Sequence, residues 1–319
     1  MNLAQLGLTL DLGLGVLALG VALFALRASS TYAAVVGFVS FGLLVSVSWF
    51  RLGAPDVALT EAAIGGGLTG LLMLNASARL RATEAAAARD RPGPLLRLVA
   101  GVAASVVAVA LAVAVLALPT PAPTLAPLAV DGAPATGLSN PVAATLMAFR
   151  ATDTLLEKVV LVLAIIGVWS LAPDDRWGGR PGPRHQADPN GVLVFFARLL
   201  PPIGIVFGIY LLFVSADHPG GAFQGGTILA AMWLLAIMAR LADTPSIDAR
   251  WLRFWLIAGP AAFLLVGLAG LAFGSGFLSY PEPYAKAIIL FVEVVKIVTV
   301  GVTLALMVAG PPQRSADEP

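Results

Sequence analysis

Residues 150–172 read RATDTLLEKVVLVLAIIGVWSLA. Arg150, Asp153 and Glu157 step by three and four residues, a spacing that predicts one shared face of a helix. The run that follows them, from Val159 to Ala172, is apolar enough for a lipid bilayer. A charged face therefore sits at the mouth of a membrane span or inside it. Ionisable groups there are costly and turn toward a bundle interior or a water-filled path. The segment points to ion or proton handling and away from a passive anchor.

The rest of the chain agrees with this reading. Of 319 residues, 59% are hydrophobic and only 12% are charged, whereas soluble domains are about half apolar and about a quarter charged. The expected fold is all-α, a polytopic transmembrane helix bundle. With no cysteine, disulfides, thiolate metal sites and iron–sulfur ligation are excluded. The two histidines, His185 and His218, are too few for a His-rich metal site. Nucleotide-binding loops and nucleophile elbows are absent from the sequence, so an enzyme, a bound cofactor and a nucleic-acid partner are not expected. The formal charge of +1 gives no hint of an acidic partner. The start, MNLAQLGLTLD, lacks the basic region of a cleaved signal and reads as part of a retained first span.

A hydrocarbon core of about 30 Å takes roughly 20 apolar residues per helix. Nine spans are predicted, near 4–26, 32–50, 57–77, 97–118, 151–172, 192–214, 222–241, 253–274 and 286–309. Arg79, Arg81, Arg89 and Arg91 follow the third span, Arg176, Arg180 and Arg184 the fifth, and Arg240 and Arg250 the seventh. The proline-rich link 119–140 has neither Lys nor Arg. Basic links face the cytoplasm, which places the N-terminus outside and the C-terminus inside an inner (plasma) membrane, with Arg51 as the exception. The links 78–96 and 173–190 divide the chain into units at 1–80, 81–175 and 190–311. No internal repeat or broken substrate-binding helix of the secondary-transporter kind is evident.

Several charged residues fall within these spans. In RLGAPDVALTEAAIGGGLTGLL, Pro55 and Asp56 suit the start of a helix, and Glu61 lies about a turn and a half deeper. Each acid is either structural or part of an ion path, and the following GGG permits close helix packing. Asp11, in the first span, admits both readings. Arg150 would favour the charged forms of Asp153 and Glu157 while desolvation opposes them; a static buried pair is the plainer alternative. Lys158 lies about 100° around the helix from Glu157 and would face another partner or the interface. In SADHPGGAFQGGTILAA, His218-Pro-Gly-Gly ends one helix, and a turn packing on a neighbour is simpler than anion binding. His218 is a natural titrator near neutrality. Glu293 and Lys296 lie three apart in the last span, as a neutralising pair or a proton relay.

These segments also resemble known families. GAPDVALTEAAIG resembles the MbhD-type unit of membrane-bound hydrogenases and of the Mrp antiporter A subunit. NPVAATLMAFRATDTLLEKVVLVLAIIGV is similar to the MbhE-type unit, with its Phe-Arg-x-x-Asp-Thr-x-x-Glu core. LLPPIGIVFGIYLLFVSADHPGGAFQGGTILAA resembles the MnhB/MrpB family. Glu61 stands where antiporter relatives more often have Gln, and Ala222 where Gly is usual. The resemblance implies a subunit of a multisubunit Na⁺/H⁺ antiporter, or of another membrane complex related to respiratory complex I. It would carry Na⁺ or H⁺ without a resident cofactor and dock larger antiporter-like subunits in the lipid bilayer. The carboxylates that match the family patterns are Asp56, Glu61, Asp153, Glu157 and Glu293, with Lys296 beside the last; Arg150, Lys158 and His218 would support them. A scaffold whose buried charges only set helix packing is the competing expectation.

Overall fold

A computed structural model describes residues 3–87, 93–121, 123–183 and 185–313. Arg89, Arg91 and Arg184, used above to orient the chain, lie outside the described residues. The protein is an all-α membrane bundle. In chain order the helices are α1 (Leu3–Arg27), α2 (Thr31–Arg51), α3 (Pro55–Thr60), α4 (Thr69–Ala87), α5 (Pro94–Leu116), α6 (Ala126–Gly132), α7 (Pro141–Ala144), α8 (Ala151–Trp169), α9 (Val192–Val214), α10 (Ala222–Met238), α11 (Arg250–Phe273) and α12 (Ala285–Ala309). A helix lies on each of the nine segments expected to span. Among the described residues, seven helical stretches are long and apolar enough to cross a membrane. The other two are α10, which at 17 residues measures roughly 25 Å at 1.5 Å per residue, and α8, which carries Asp153, Glu157 and Lys158.

Two π-helical segments interrupt the regular α-helices. Glu61–Leu68 joins α3 to α4, and Thr145–Phe149 precedes α8. Their bonds reach five residues back, as from the Thr69 amide to the Ile64 carbonyl and from Arg150 to Thr145 at 2.7 Å. The wider turns release carbonyls from the regular ladder. The Thr154 hydroxyl satisfies one of them, donating to the Leu146 carbonyl at 2.6 Å. The third helical stretch also runs on to Ala87, ten residues past its expected end, because the Ala-rich sequence after Ser77 favours helix.

Helix α12 is the centre of the molecule. Buried positions run along its length, from Ala285 to Leu306, and α8, α9, α10 and α11 pack around it. Small residues set the closest approaches. A Cβ on Gly226 of α10 would meet Val300 of α12 at 2.7 Å, and one on Gly225 would meet the Gly208 carbonyl of α9 at 2.5 Å. On the other side, α1 packs on α2 and α2 on the first π segment, where Gly42 lies against the Gly66 backbone. Asp11 pairs with Arg51 at 2.8 Å, which gives the outlying arginine a partner within the first helical pair. By contrast, α5 has no buried residue.

The basic link 173–190 is tied down at its middle. Arg180–Pro181 (β1) pairs antiparallel with Pro312–Gln313 (β2), and the Ile247 amide donates to the Gly179 carbonyl at 3.2 Å. The link and the end of the described chain thus share one side of the bundle.

Candidate functional site

The turn between α9 and α10 organises the site. Pro219 cannot continue a helix, and Gly221 adopts φ +155, a conformation open to glycine. At Gly220 the chain passes so close to α9 that a Cβ would meet the Leu211 carbonyl at 2.5 Å. The turn exposes backbone donors, and two carboxylates from distant stretches take them. Gly220 N–H donates to Asp56 Oδ1 at 3.1 Å, and Ala222 N–H to Glu293 Oε2 at 2.9 Å. Glu293 so serves as a cap, supplied by α12, for the N-terminus of α10. Asn140 holds the same turn from a third direction, its amide donating to the carbonyls of Ser215 at 3.2 Å and His218 at 3.0 Å. Gln224 Nε2 donates to Thr60 Oγ1 at 2.9 Å.

Next to this turn lies a cavity of about 650 Å³, into which Asp56, Glu157, Lys158, Gln224, Glu293 and Lys296 open between apolar walls. Asp56 and Glu293 are buried. Lys296 is hydrogen-bonded to Glu293 Oε1 and also touches Met147 Sδ at 3.2 Å, with the Phe263 ring centred 5.6 Å away. The second π segment delivers Met147 here, and Tyr280 holds it by donating to its carbonyl at 2.8 Å. Burial, reinforced by the Glu293 charge, pushes the Tyr280 phenol up to about 12, so this residue stays a donor. On the opposite wall Lys158 bonds Glu157 Oε1 at 2.7 Å and stacks its ammonium 4.7 Å from the centre of the Phe223 ring.

The charged face expected on α8 is corrected by this arrangement. Arg150 lies outside the helix (φ −126, ψ 34), since the π segment before it shifts the chain out of phase. Arg150 pairs with Asp153 at 2.6 Å, one turn before Glu157 on the same helix. The Asp153 side chain is 54% exposed, so it is not a buried carboxylate. Glu157 is 44% exposed while Lys158 is fully buried, which reverses the expected order of depth. Lys158, expected to face another partner about 100° around the helix from Glu157, lies on the cavity wall and is the most buried charge of α8.

The other expected residues stand apart. Glu61 folds back over its own π segment, its Oε1 within 2.0 Å of where a Gly65 Cβ would sit, and it does not line the cavity. His218 is exposed and contributes its backbone to the Asn140 contact. Just before it, the Ser139 hydroxyl and then the Lys286 ammonium hold the Asp217 carboxyl below the ordinary aspartate range. Among the described residues no group of three or more acidic or histidine side chains is placed to hold a metal ion.

Comparison with known proteins follows the same division of the chain. Residues 16–82 match the MbhD family, the D component of MBH. Residues 192–310 match the domain related to the MnhB subunit of the Na⁺/H⁺ antiporter. A protein of Methanocaldococcus jannaschii is 26% identical over 180 residues, covering 46% of this chain and 65% of its own length. The putative antiporter subunit mnhB2 of Staphylococcus haemolyticus is 27% identical over 132 residues, 37% of this chain and 92% of that protein. Among solved structures, a chain of the Mrp complex from Dietzia sp. superposes with a TM-score of 0.72 at 26% identity. That match covers 96% of this chain and 35% of the Dietzia chain. A chain of the membrane-bound sulfane sulfur reductase, an archaeal respiratory membrane complex, gives 0.54 at 25% identity over 67% of this chain and 97% of its own. The chain thus spans about two thirds of the archaeal relative and a third of the Dietzia chain.

Proposed function

We propose that this chain, which joins an MbhD-type domain to an MnhB-related domain and belongs with the Mrp-type membrane subunits, helps conduct ions in a multisubunit Na⁺/H⁺ antiporter. The observation that carries the reading is the cavity, where acid–amine pairs from α8 and α12 meet Asp56 of α3. Ionisable groups grouped in this way inside an apolar bundle are the usual lining of a proton or ion route. Glu157, half exposed, stands at the mouth; Lys158, the Glu293–Lys296 pair and Asp56 continue the route inward. Asp153 and Glu61 lie off it. In this reading the chain crosses the plasma membrane nine times, N-terminus outside and C-terminus in the cytoplasm. Its units at 1–80, 81–175 and 190–311 pack as one accessory subunit. Larger antiporter-like subunits dock on it, with α5 among the surfaces they meet.

Glu157→Gln in the assembled complex tests the route. Na⁺-driven proton movement in vesicles, normalised to complex abundance on a native gel, should fall at least about tenfold, as loss of a proton-transfer group does. Unchanged flux per complex would exclude Glu157 from conduction and leave it a packing role. The similarity to a respiratory reductase chain over nearly its whole length favours a second reading, a scaffold subunit of a redox-driven complex. In that case Glu157→Gln lowers abundance and leaves transport per complex intact.

A further inference from the structure

The turn at 220–222 connects two carboxylates that the chain itself keeps far apart. Asp56 belongs to the first helical unit and Glu293 to the last helix, yet each binds a backbone N–H two residues from the other's. The donors are fixed by the same short backbone, and Gly221 is the residue between them. We infer that the Gly220–Ala222 turn couples these two carboxylates, and that Asp56 acts through it as a positioning residue for Glu293. The inference rests on the route proposed above and adds a regulatory link to it.

The physical basis is the difference between a charged and a neutral acceptor. A carboxylate accepting an N–H makes a bond roughly twice as strong as a neutral acceptor does. Neutralising Glu293, by a proton or a monovalent cation, weakens its hold on Ala222 and on the N-terminus of α10, where negative charge is favoured. The turn then has one strong strap where it had two. Its glycines allow it to shift, and the bond from Gly220 to Asp56 changes with it. The reverse holds when Asp56 is neutralised. Occupancy of one acid is so reported to the other without direct contact between them.

The charged and titratable groups around the turn are few. Asp56 faces it from α3, Glu157 and Lys158 from α8, and Glu293 and Lys296 from α12. Tyr280 reaches the same region through Met147. Asp217 and His218 belong to the segment itself, with Lys286 on Asp217. His218, exposed on the turn segment itself, is replaced in any pH experiment.

The native chain has no cysteine, so a single thiol reports on the turn. Ser215 is buried beside the cavity, and Ser215→Cys with His218→Asn forms the reporter chain. Maleimide labelling of the assembled complex in membranes is measured with Asp56 and Glu293 intact, then with Asp56→Asn, and then with Glu293→Gln. Each single neutralisation should raise the labelling rate by roughly tenfold, as weakening one charge-assisted hydrogen bond allows. The double variant should exceed either single by less than the product of the two, because the straps share one turn. Equal labelling in all four chains overturns the coupling, as does a double variant at the full product. Should Glu293→Gln fail to assemble, the reporter chain with both acids intact decides on its own: faster labelling at acid than at alkaline pH, after correction for thiol ionisation with a free thiol, supports the inference, and a flat profile overturns it. A dead transport route with responsive labelling would sink the conduction reading and leave the coupling standing.

Discussion

Replacing Lys158 by methionine separates a conducting charge from a structural one. Its ammonium is fully buried, while its partner Glu157 keeps a side chain 44% exposed. Lys158→Met removes the Glu157 bond at 2.7 Å and the stacking on Phe223 at 4.7 Å. The stacking alone contributes about 2 kcal/mol when desolvated. Against this, the variant no longer buries a charge, and exchanging buried ion pairs for apolar groups of similar volume is neutral or stabilising by about 1–4 kcal/mol. The opposing effects nearly cancel, and the Glu157 carboxylate left behind is partly in contact with solvent. The net change in stability should be within about 1 kcal/mol. Glu157→Gln is the unequal counterpart, since it strands a buried ammonium. Removing one partner of a buried pair costs about 3–5 kcal/mol, and the half-exposed position of Glu157 lowers this to about 2–3 kcal/mol.

The assay is the fraction of complex that stays monodisperse on size-exclusion chromatography after brief heating, read beside Na⁺-driven proton movement. Lys158→Met should keep nearly native thermal resistance and lose transport, while Glu157→Gln should lose both. Equal thermal losses in the two variants would refute the asymmetry drawn from their burial. Normal transport in Lys158→Met would remove Lys158 from the route.

Gly226→Ala forces a methyl to within 2.7 Å of Val300; overpacking of this kind costs about 1–3 kcal/mol, so complex abundance on a native gel should drop, and a paired Val300→Ala should restore little of it, since the Cβ of residue 300 at 2.8 Å and the Ile297 carbonyl at 3.0 Å remain. Asp217 is exposed, and its depressed carboxyl value contributes stability that is present above the ordinary value of 3.8 and lost as pH falls through the lower folded value. Asp217→Asn should remove that acid-side contribution, seen as a flatter dependence of thermal resistance on pH below 3.8.

Much of the fold was legible because lipid-spanning helices announce themselves by length: the apolar runs of about 20 residues fall on helices throughout. The Glu293–Lys296 pair was equally legible, since three residues of regular α-helix bring them together. Reading failed where regularity failed. The π segment before α8 leaves Arg150 outside the helix, and helical spacing could not tell half-exposed Asp153 and Glu157 from fully buried Lys158. The carboxylate contacts of the turn span 164 residues for Asp56 and 71 for Glu293, separations at which local pattern carries no information. The glycines of HPGGAFQGG did mark close packing, but the anions they receive are the protein's own, and nothing near the motif says where these come from.

The wide turn at Glu61–Leu68 has a consequence for how this helix came about. A π segment holds about one residue more than an α-helix needs to cover the same rise. Excising a single residue there would restore a regular spiral and leave the turns on either side near their present orientation, because the wide turn already absorbs the extra residue. Asp56 and Thr60 would then keep their contacts with Gly220 and Gln224. The simplest ancestry for such a helix is a one-codon insertion, and a related sequence with a gap of one position within 61–68 should still place its aspartate against the turn at Gly220.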